Sequence, residues 1–367
     1  MGLMSELALL FHAYVAFVVL VFLGVAVLDL APYVRKDCND GFKRDSRYKP
    51  RTLVIVPCRG HDLTLRLNLR SIASQDYPNY DALVVVDSRK EPAYAYAREL
   101  GINAIISEYK AKRSSGKVLA ILTALKKFRK YDAYVIADSD ITVKGNWLGE
   151  LLKPLADRRI GISTSYAKFI PKGGFWSKVK SVWGLVGEGL MENRRTRFGW
   201  GGSLAFRRSL ADRELIRMME NSRYSISDDI CITRRAEQLG LGIAYVPGVQ
   251  PEVASDESMG RFIEWANRQT ALTILGYRMN LYYGLLFYSA EIMLFISGIA
   301  LSIAVSPAFL ILLLHLAKSE VKTYRRARSA DPSIAVIVLF MPFLYLANLL
   351  AANGARYITW RGRRYAL

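Results

Sequence analysis

The chain begins with a long run of apolar residues. Residues 7 to 30 are interrupted only by His12 and, near the end of the run, by Asp29. About 20 apolar residues suffice to cross a bilayer core of about 30 Å. A cleaved signal peptide has a shorter apolar region after a basic flank, whereas residues 1–6 contain no basic side chain. The pattern predicts a retained transmembrane anchor over residues 1–30.

Two more apolar blocks lie near the C-terminus, at about 281–317 and 333–352. The first is too long for one upright helix that rises about 1.5 Å per residue, and Pro307 divides it. A tight hairpin of two short spans is the preferred interpretation, and one long, kinked helix is the alternative. We therefore expect two or three spans over residues 281–355.

Basic residues predict how the chain is oriented in the membrane. Arg35 and Lys36 follow the first span, so the positive-inside rule places residues 31–280 in the cytoplasm. The basic linker 318–328 favours the hairpin, which puts this linker on the same side. The same arrangement puts the basic tail outside, with its four arginines Arg356, Arg361, Arg363 and Arg364. The prediction is an integral protein of the cell membrane with a cytoplasmic middle region.

Between the apolar ends, strand-like and helix-like patterns alternate, which is typical of a mainly parallel sheet. Short apolar strands are predicted at 53–57, 82–87, 102–106 and 134–137, and helical spacing at 63–74, 93–101 and 116–128. The fold class is therefore α/β, with one Rossmann-like domain over residues 50–275. Acidic residues stand at the ends of two of these strands.

Asp138 and Asp140 follow one of the apolar strands. Ligands of open α/β sheets bind beyond the carboxyl ends of the strands, and side chains two residues apart in extended chain point the same way. Two such carboxylates can share Mg²⁺ or Mn²⁺, which usually arrives with a substrate diphosphate. The alternative is a solvated acidic turn, because aspartate is common in turns.

Two further residues fit an anionic nucleotide. Asp87 ends a strand and would accept hydrogen bonds from a base or ribose, although a strand-end turn explains it as well. Lys117 stands at the start of a predicted helix, where a phosphate would meet a positive helix terminus. A solvated lysine is an equally good explanation of Lys117 alone.

The second half of the middle region contains an aromatic stripe and a glycine-rich turn. Apolar residues recur at helical spacing over 175–190, including Trp176 and Trp183, with lysines 178 and 180 among them. This pattern fits a helix in the membrane interface that helps to admit an acceptor, and core packing is the alternative. Gly201 and Gly202 would let the backbone approach a ligand closely on the acceptor side.

Asp228 and Asp229 open a predicted helix over 230–239. One acid is explained as an N-cap or first-turn residue, which leaves the other free to act as a general base. Further along, Arg261, Trp265 and Arg268 fall on one helical face. They are candidates for binding a diphosphate, or are juxtamembrane anchors.

Composition narrows the class of partner. The 367 residues are 52% hydrophobic and carry a formal net charge of +19. Such charge fits an anionic membrane surface and anionic substrates. Nucleic acid also attracts basic proteins, but the membrane segments argue against it. Three widely spaced cysteines and three histidines suggest neither a disulfide framework nor a zinc site.

In order and spacing, these segments resemble the membrane-bound family-2 glycosyltransferases, in particular the ceramide glucosyltransferase-like group. The matching segments are VIVPCRG (54–60), SQDYPNYDALVVVDS (74–88), SGKVLAILTAL (115–125), ADSDI (137–141), GWGGSLAFRR (199–208), SDDICITRR (227–235) and RFIEW (261–265). They cover essentially the whole soluble region. The resemblance implies a GT-A fold and one span before the catalytic domain, with several after it.

The resemblance also implies roles for individual residues. Asp87, Pro57 and Lys117 would lie on the donor side, Asp138 and Asp140 would hold the metal and the diphosphate, and Asp229 would be the catalytic base beside Asp228. The last family motif is commonly Q/R-x-x-R-W. Arg261 and Trp265 match it, whereas Glu264 replaces the second arginine, and Arg268 is the candidate substitute.

The sequence thus predicts an inverting, metal-dependent glycosyltransferase. It would move a sugar from a UDP- or GDP-sugar to a membrane lipid or lipid-linked acceptor. One alternative is a phosphohydrolase of the haloacid dehalogenase type, with Asp138 as nucleophile and Asp140 as acid/base. That alternative leaves Asp87 and the 199–202 turn without roles. A non-catalytic membrane scaffold is a third possibility, and it predicts a broken set of acids.

Overall fold

The computed structural model describes residues 2–28, 41–327 and 331–367. The predictions that concern Arg35, Lys36, Cys38 and residue 328 lie outside these residues. The helices are α1 (Gly2–Leu28), α2 (Leu65–Ala73), α3 (Pro92–Glu99), α4 (Gly116–Lys127), α5 (Trp147–Leu152), α6 (Phe175–Glu192), α7 (Arg213–Asn221), α8 (Asp228–Gln238), α9 (Met259–Gly276), α10 (Met279–Ala304), α11 (Leu314–Ala327) and α12 (Ser333–Asn353).

The strands are β1 (Thr52–Cys58), β2 (Tyr80–Val86), β3 (Asn103–Ile106), β4 (Ala133–Ala137), β5 (Ile141–Thr142), β6 (Ile160–Thr164), β7 (Lys168–Pro171), β8 (Ser203–Arg207), β9 (Gly242–Tyr245), β10 (Glu252–Ser255), β11 (Tyr357–Trp360) and β12 (Arg363–Ala366). The predicted strands and helices of the middle region are confirmed to within two or three residues at their ends. The chain forms two compact units. The helical unit contains Met1–Arg35 and Trp265–Ala355, and the sheet unit contains Lys36–Glu264 and Arg356–Leu367.

A seven-stranded sheet in the order β3-β2-β1-β4-β8-β6-β9 forms the centre of the sheet unit. Strand β1 pairs in parallel with β2 and β4, whereas β8 runs antiparallel to β4 and β6. Every residue of β4 is buried, which explains its continuous apolar sequence, because a central strand is covered on both faces. The expected α/β class with a mainly parallel sheet is confirmed.

Helix α4 packs on this sheet through Val118, Ile121 and Leu122, which are fully buried. It begins at a favourable cap, since the Ser115 hydroxyl accepts a hydrogen bond from the Val118 N–H at 3.3 Å. This cap and the buried face fix the first turn of α4, which carries Lys117.

Among the residues that the structure describes, three helices are long and apolar enough to cross a membrane: Ser5–Val25 within α1, Met279–Ala304 and Ser333–Asn353. The preferred hairpin of two short spans in the 281–317 block is wrong. Helix α10 covers the first part of the block, and the apolar residues Pro307–Leu313 form a short 3₁₀ helix. Helix α11 then continues for 14 residues with a polar face, which is shorter than the about 20 residues that a crossing needs.

The prediction that the C-terminal tail lies outside is also wrong. Strands β11 and β12 form an antiparallel hairpin that belongs to the sheet unit. The basic side chains of this hairpin pair with carboxylates at the edge of the sheet, for example Arg363 with Asp87 at 3.0 Å. The hairpin must therefore lie on the same side of any membrane as the sheet.

Candidate active site

The carboxyl ends of three neighbouring parallel strands bring acidic residues to one edge of the sheet. Strands β1, β2 and β4 end at Cys58, Val86 and Ala137. Shortly after these ends come Asp62, Asp87 and Asp138, respectively. Because parallel strands present their carboxyl ends at the same edge, this is where an open α/β sheet binds its ligand.

Ser139, the middle residue of the loop that contains Asp138 and Asp140, fixes this loop by hydrogen bonds. The Ser139 hydroxyl donates to Asp62 Oδ2 at 2.5 Å, and its carbonyl accepts from Asn68 Nδ2 at 2.9 Å. Ser139 is thus buried, whereas both flanking aspartates are partly exposed. The carboxylates therefore face the edge of the sheet while the backbone between them is fixed.

Asp140 is in an environment of excess negative charge. Burial, together with the neighbouring carboxylates of Asp138 and Asp62, raises its pKa to about 6. No described residue forms a hydrogen bond or an ion pair with its carboxylate. A divalent cation would relieve this repulsion, so the donor set fits Mg²⁺ or Mn²⁺.

The described residues contain no group of three or more His, Cys, Asp or Glu side chains placed to hold a metal ion by themselves. Asp62 is close, but it is already bonded to Ser139 and to Arg361. The arrangement suits a hard cation that binds one or two carboxylates and completes its coordination with substrate phosphates and water.

Lys117 connects the metal-binding loop to the other acidic pair. Its Nζ lies 2.7 Å from Asp138 Oδ1 and 3.3 Å from Asp228 Oδ1, and it donates to the Gly201 carbonyl at 3.0 Å. Burial opposes its charge, but the carboxylates of Asp138 and Asp228 outweigh burial and raise the pKa of Lys117 above its ordinary value. The lysine is a buried cation and not a solvated side chain.

Asp228 and Asp229 occupy the first turn of α8 in different surroundings. Asp228 is buried, and burial raises its pKa to about 7, while its Oδ2 has no partner among the described residues. Asp229 is half-exposed, and its Oδ1 accepts from the Ser227 hydroxyl and from the Ile230 N–H at 2.8 Å. The Asp229 carboxylate therefore lies at the helix N-terminus with one side partly open to solvent.

The glycine-rich turn is packed against these acids. A Cβ atom on Gly201 would lie 2.6 Å from Asp228 Oδ2 and 3.0 Å from Lys117 Nζ. The Gly202 carbonyl accepts the N–H of Asp138 at 3.1 Å. A side chain at position 201 would therefore displace the acid or the lysine, which explains glycine there.

Asp87 is bound by two arginines. Its Oδ2 lies 2.9 Å from Arg59 Nη1 and 3.0 Å from Arg363 Nη2. Pro57 lies in β1 opposite Val85 of β2, one residue before the end of the strand, which continues to Cys58. Two guanidinium groups around one carboxylate give this corner of the site a net positive charge.

The sequence of residues 15–367 matches the model of glycosyl transferase family 21. The chain belongs to glycosyl transferase family 21. Compared with curated proteins, the sequence has no significant match. The match confirms the glycosyltransferase part of the resemblance noted from the sequence.

A solved mannosyltransferase structure shows the same fold as this glycosyltransferase. A mannosyltransferase from Pyrobaculum calidifontis, solved in complex with GDP-Man and Mn²⁺, has 17% sequence identity and a TM-score of 0.54. The alignment covers 93% of this chain and 94% of that one. Glucosyl-3-phosphoglycerate synthase from Mycobacterium tuberculosis is 16% identical over 63% of this chain and 81% of that one, with a TM-score of 0.42. The expected GT-A fold is confirmed.

Trp176 and Trp183 of the glycosyltransferase both contact Phe262 of α9. The ring of Trp176 stacks on Phe262 with centroids 5.5 Å apart, and Trp183 meets the same ring edge-on at 5.5 Å. Both tryptophans are half-buried. Lys180, expected to face the membrane interface, is instead buried and pairs with Glu257 at 2.6 Å. The aromatic stripe over 175–190 therefore contributes in part to packing against α9. Its role on the acceptor side remains a prediction.

The last motif begins in the sheet unit and ends in the helical unit. Arg261 and Glu264 are exposed residues of α9 in the sheet unit. Trp265 and Arg268 follow on α9 but belong to the helical unit. Their role in donor binding remains a prediction.

The sequence argument missed Asp62, Arg59 and the C-terminal hairpin. Asp62 lies in a loop, four residues after the end of β1, so no strand-end pattern indicated it. Arg361 pairs with Asp62 and Arg363 with Asp87, about 300 and 276 positions apart along the chain. A short basic segment with Gly362 at a turn was the only signal, and a pattern along the sequence cannot assign its partner.

Proposed function

We propose that this family 21 glycosyltransferase transfers a sugar, with inversion, from a nucleotide-sugar donor to a membrane lipid or lipid-linked acceptor. The observation that carries the proposal is the acidic edge of the sheet, where Asp138 and Asp140 lie at the end of β4 and Lys117 joins Asp138 to Asp228. The carboxylate of Asp140, which has no partner among the described residues and lies near those of Asp138 and Asp62, fits a divalent cation. The solved mannosyltransferase with GDP-Man and Mn²⁺ supports the donor class.

Asp138 and Asp140 would hold Mg²⁺ or Mn²⁺ on the donor diphosphate. The metal would neutralise the charge that builds on the leaving nucleoside diphosphate. Asp87 and Pro57 would lie on the donor side. Arg261, Trp265 and Arg268 of α9 are proposed for donor binding as well. Lys117 is placed to position Asp138, since its ammonium contacts that carboxylate directly.

Asp229 is the proposed general base. Its carboxylate is partly exposed, and hydrogen bonds from the Ser227 hydroxyl and the Ile230 N–H hold it in place. It would remove the proton of the acceptor hydroxyl while that oxygen attacks the sugar carbon from the side opposite the leaving group. Asp228 is buried against Lys117 and Gly201, so it is placed to orient this corner of the site and not to meet an acceptor.

The three apolar helices support a lipid acceptor and an integral membrane location. Because the sheet unit contains both Lys36–Glu264 and Arg356–Leu367, the chain must cross a membrane an even number of times between these segments. Helices α10 and α12, which are long and apolar enough to cross a membrane, would supply two crossings. We propose that the sheet unit is cytoplasmic, on an anionic leaflet, which fits the net charge of +19.

The family match does not favour the phosphohydrolase or scaffold alternatives. A donor screen tests the proposal directly. Protein purified in detergent is mixed with UDP- and GDP-sugars, Mn²⁺ and a lipid extract, and release of nucleoside diphosphate is followed. We expect release that requires lipid and one class of donor, and that is lost in Asp229→Asn. Release that is absent with every donor, or unaffected by Asp229→Asn, would exclude the proposed reaction.

A further inference from the structure

The C-terminal hairpin places three side chains on the predicted donor site. Arg361 pairs with Asp62, whose other oxygen holds Ser139 between the two metal-binding aspartates. Arg363 pairs with Asp87 at 3.0 Å. The Tyr365 hydroxyl accepts the N–H of Gly116 at 3.2 Å, at the first residue of α4 and next to Lys117.

These contacts lie on three different elements that the sequence assigns to the nucleotide sugar. They are the end of β2 with Asp87, the N-terminus of α4 with Gly116, and, through Asp62 in the loop after β1, the loop after β4. Helix N-termini with free N–H groups bind phosphate, and Tyr365 covers one of those groups. The hairpin thus borders the site for the diphosphate and not a remote surface.

The backbone at the tip of the hairpin is strained at one of the contact residues. Arg361 and Gly362 form a two-residue turn between the paired residues Trp360 and Arg363, with φ angles of 50° and 72°. Positive φ at both positions is a type I′ turn, which strongly prefers asparagine and glycine. Arg361 is the sole non-glycine residue with positive φ in the described part of the chain. Strain of this kind persists at functional sites.

The charges around Asp87 favour binding of an anionic donor by the hairpin over its exclusion. Asp87 is matched by both Arg59 and Arg363, so this corner keeps a net positive charge. The Arg363 side chain is 46% exposed, which leaves its guanidinium free to contact a further anion. Arginine binds phosphate oxygens in a planar, bidentate geometry.

We infer that the C-terminal hairpin is part of the donor site, and that Arg361 and Arg363 bind the diphosphate of the nucleotide sugar. The inference rests on the proposed function, which it deepens. Asp62 and Asp87 then act as anchors that hold the two guanidinium groups in place. The hairpin thus adds two arginines to a site whose proposed metal-binding carboxylates are Asp138 and Asp140.

The test is the affinity of the full-length protein for GDP and UDP, each with Mn²⁺, measured by calorimetry in detergent. Arg361→Asn removes the charge and places the preferred residue in the turn, so the hairpin is retained. Arg363→Gln removes the second charge. Arg364→Gln is the matched control, because Arg364 lies over the Tyr357 ring at 4.1 Å on the same hairpin.

We expect each single variant to weaken binding of the nucleotide that the wild type prefers by about tenfold, the size of one charge-assisted hydrogen bond. The double variant should lose more, Arg363→Lys should retain part of the affinity, and Arg364→Gln should stay within about twofold of wild type. Unchanged affinity in the double variant would overturn the inference and leave the proposed function standing. Tighter binding would also overturn it, because the hairpin would then be a plug that competes with the donor. If the wild type bound neither nucleotide, both the inference and the proposed donor class would fail.

Discussion

The ammonium of Lys117 lies 2.7 Å from Oδ1 of Asp138, and its side chain is only 10% exposed. This pair joins the first turn of α4 to the loop after β4. Through the same ammonium, Asp228 of α8 is connected to that loop at 3.3 Å. The proposed metal site and the acid pair of α8 are therefore one electrostatic unit, and a change at Lys117 should affect both.

Lys117→Met should destabilise the fold strongly. Above pH 7, where Asp228 is ionised, it leaves this buried carboxylate without its cation, and breaking a buried ion pair by removing one partner costs roughly 3–5 kcal/mol. Adding Asp228→Asn should recover part of the loss, since the uncompensated charge is removed. Thermal unfolding of the four proteins of this cycle measures the effect. Lys127→Met on the same helix is the control, because the ion pair of Lys127 with Glu108 is exposed. The melting temperature of this variant should barely change. Additive losses in the cycle would show that Lys117 and Asp228 are not coupled.

Asp228 should make stability depend on pH. Its pKa is raised from 3.8 to about 7 by burial, so the folded protein holds a proton that the unfolded chain releases near pH 4. The stability due to this proton is fully present below about pH 4, falls as the pH rises, and is lost above about pH 7. The free energy of unfolding, measured by denaturant titration from pH 4 to 8, should therefore decline more steeply with pH in wild type than in Asp228→Asn. Parallel profiles would contradict a raised pKa at this residue.

Asp229→Asn should lower turnover by about 10²–10⁴-fold, the usual loss when a general base is removed. Donor binding should hardly change, since the base acts on the acceptor. Asp228→Asn serves as the comparison and should change stability more than chemistry. Turnover measured at saturating donor distinguishes them. If Asp228→Asn is inactive while Asp229→Asn works normally, the acids have been assigned the wrong way round.

Asp140→Asn should abolish Mn²⁺-dependent binding of the donor and leave the fold intact. The substitution removes both the burial of a charge and the repulsion that raise the pKa of Asp140, so the melting temperature should not fall. Calorimetric titration of the nucleotide with and without Mn²⁺ gives the metal dependence. Asp76→Asn, at an exposed position, is the matched control. Equal donor affinity with and without metal in wild type would rule out this metal site.

Trp176 and Trp183 changed together to glutamate should impair transfer to a long-chain lipid more than slow hydrolysis of the donor. Both rings pack on Phe262, so the same pair changed to phenylalanine is needed to keep the packing. The phenylalanine variant should retain most of the lipid transfer. Comparing lipid transfer with donor hydrolysis in the two variants separates the explanations. An equal loss of both activities in the glutamate variant would mean that the stripe is ordinary core.

Local sequence determined the elements of the sheet unit. Buried strands such as β4 read as unbroken apolar runs because both faces are covered. Helix α4 was visible from its apolar spacing. Asp138, Asp140, Asp228 and Asp229 stood out because carboxylates next to strand ends and helix starts are visible in short windows. The long apolar helices were also predicted from the sequence, because a run of about 20 apolar residues is typical of a transmembrane helix.

Tertiary structure alone decided which of these charged groups meet. No local pattern distinguishes Lys117, a buried cation between two carboxylates, from a solvated lysine. The position of the tail was likewise undetermined, because Arg361 and Arg363 pair with Asp62 and Asp87, which lie far away along the chain. Charge predicts that a residue seeks water or a counterion, and only the fold supplies the counterion. That is why the sequence identified the acids, whereas the structure was needed to find the cations that hold them.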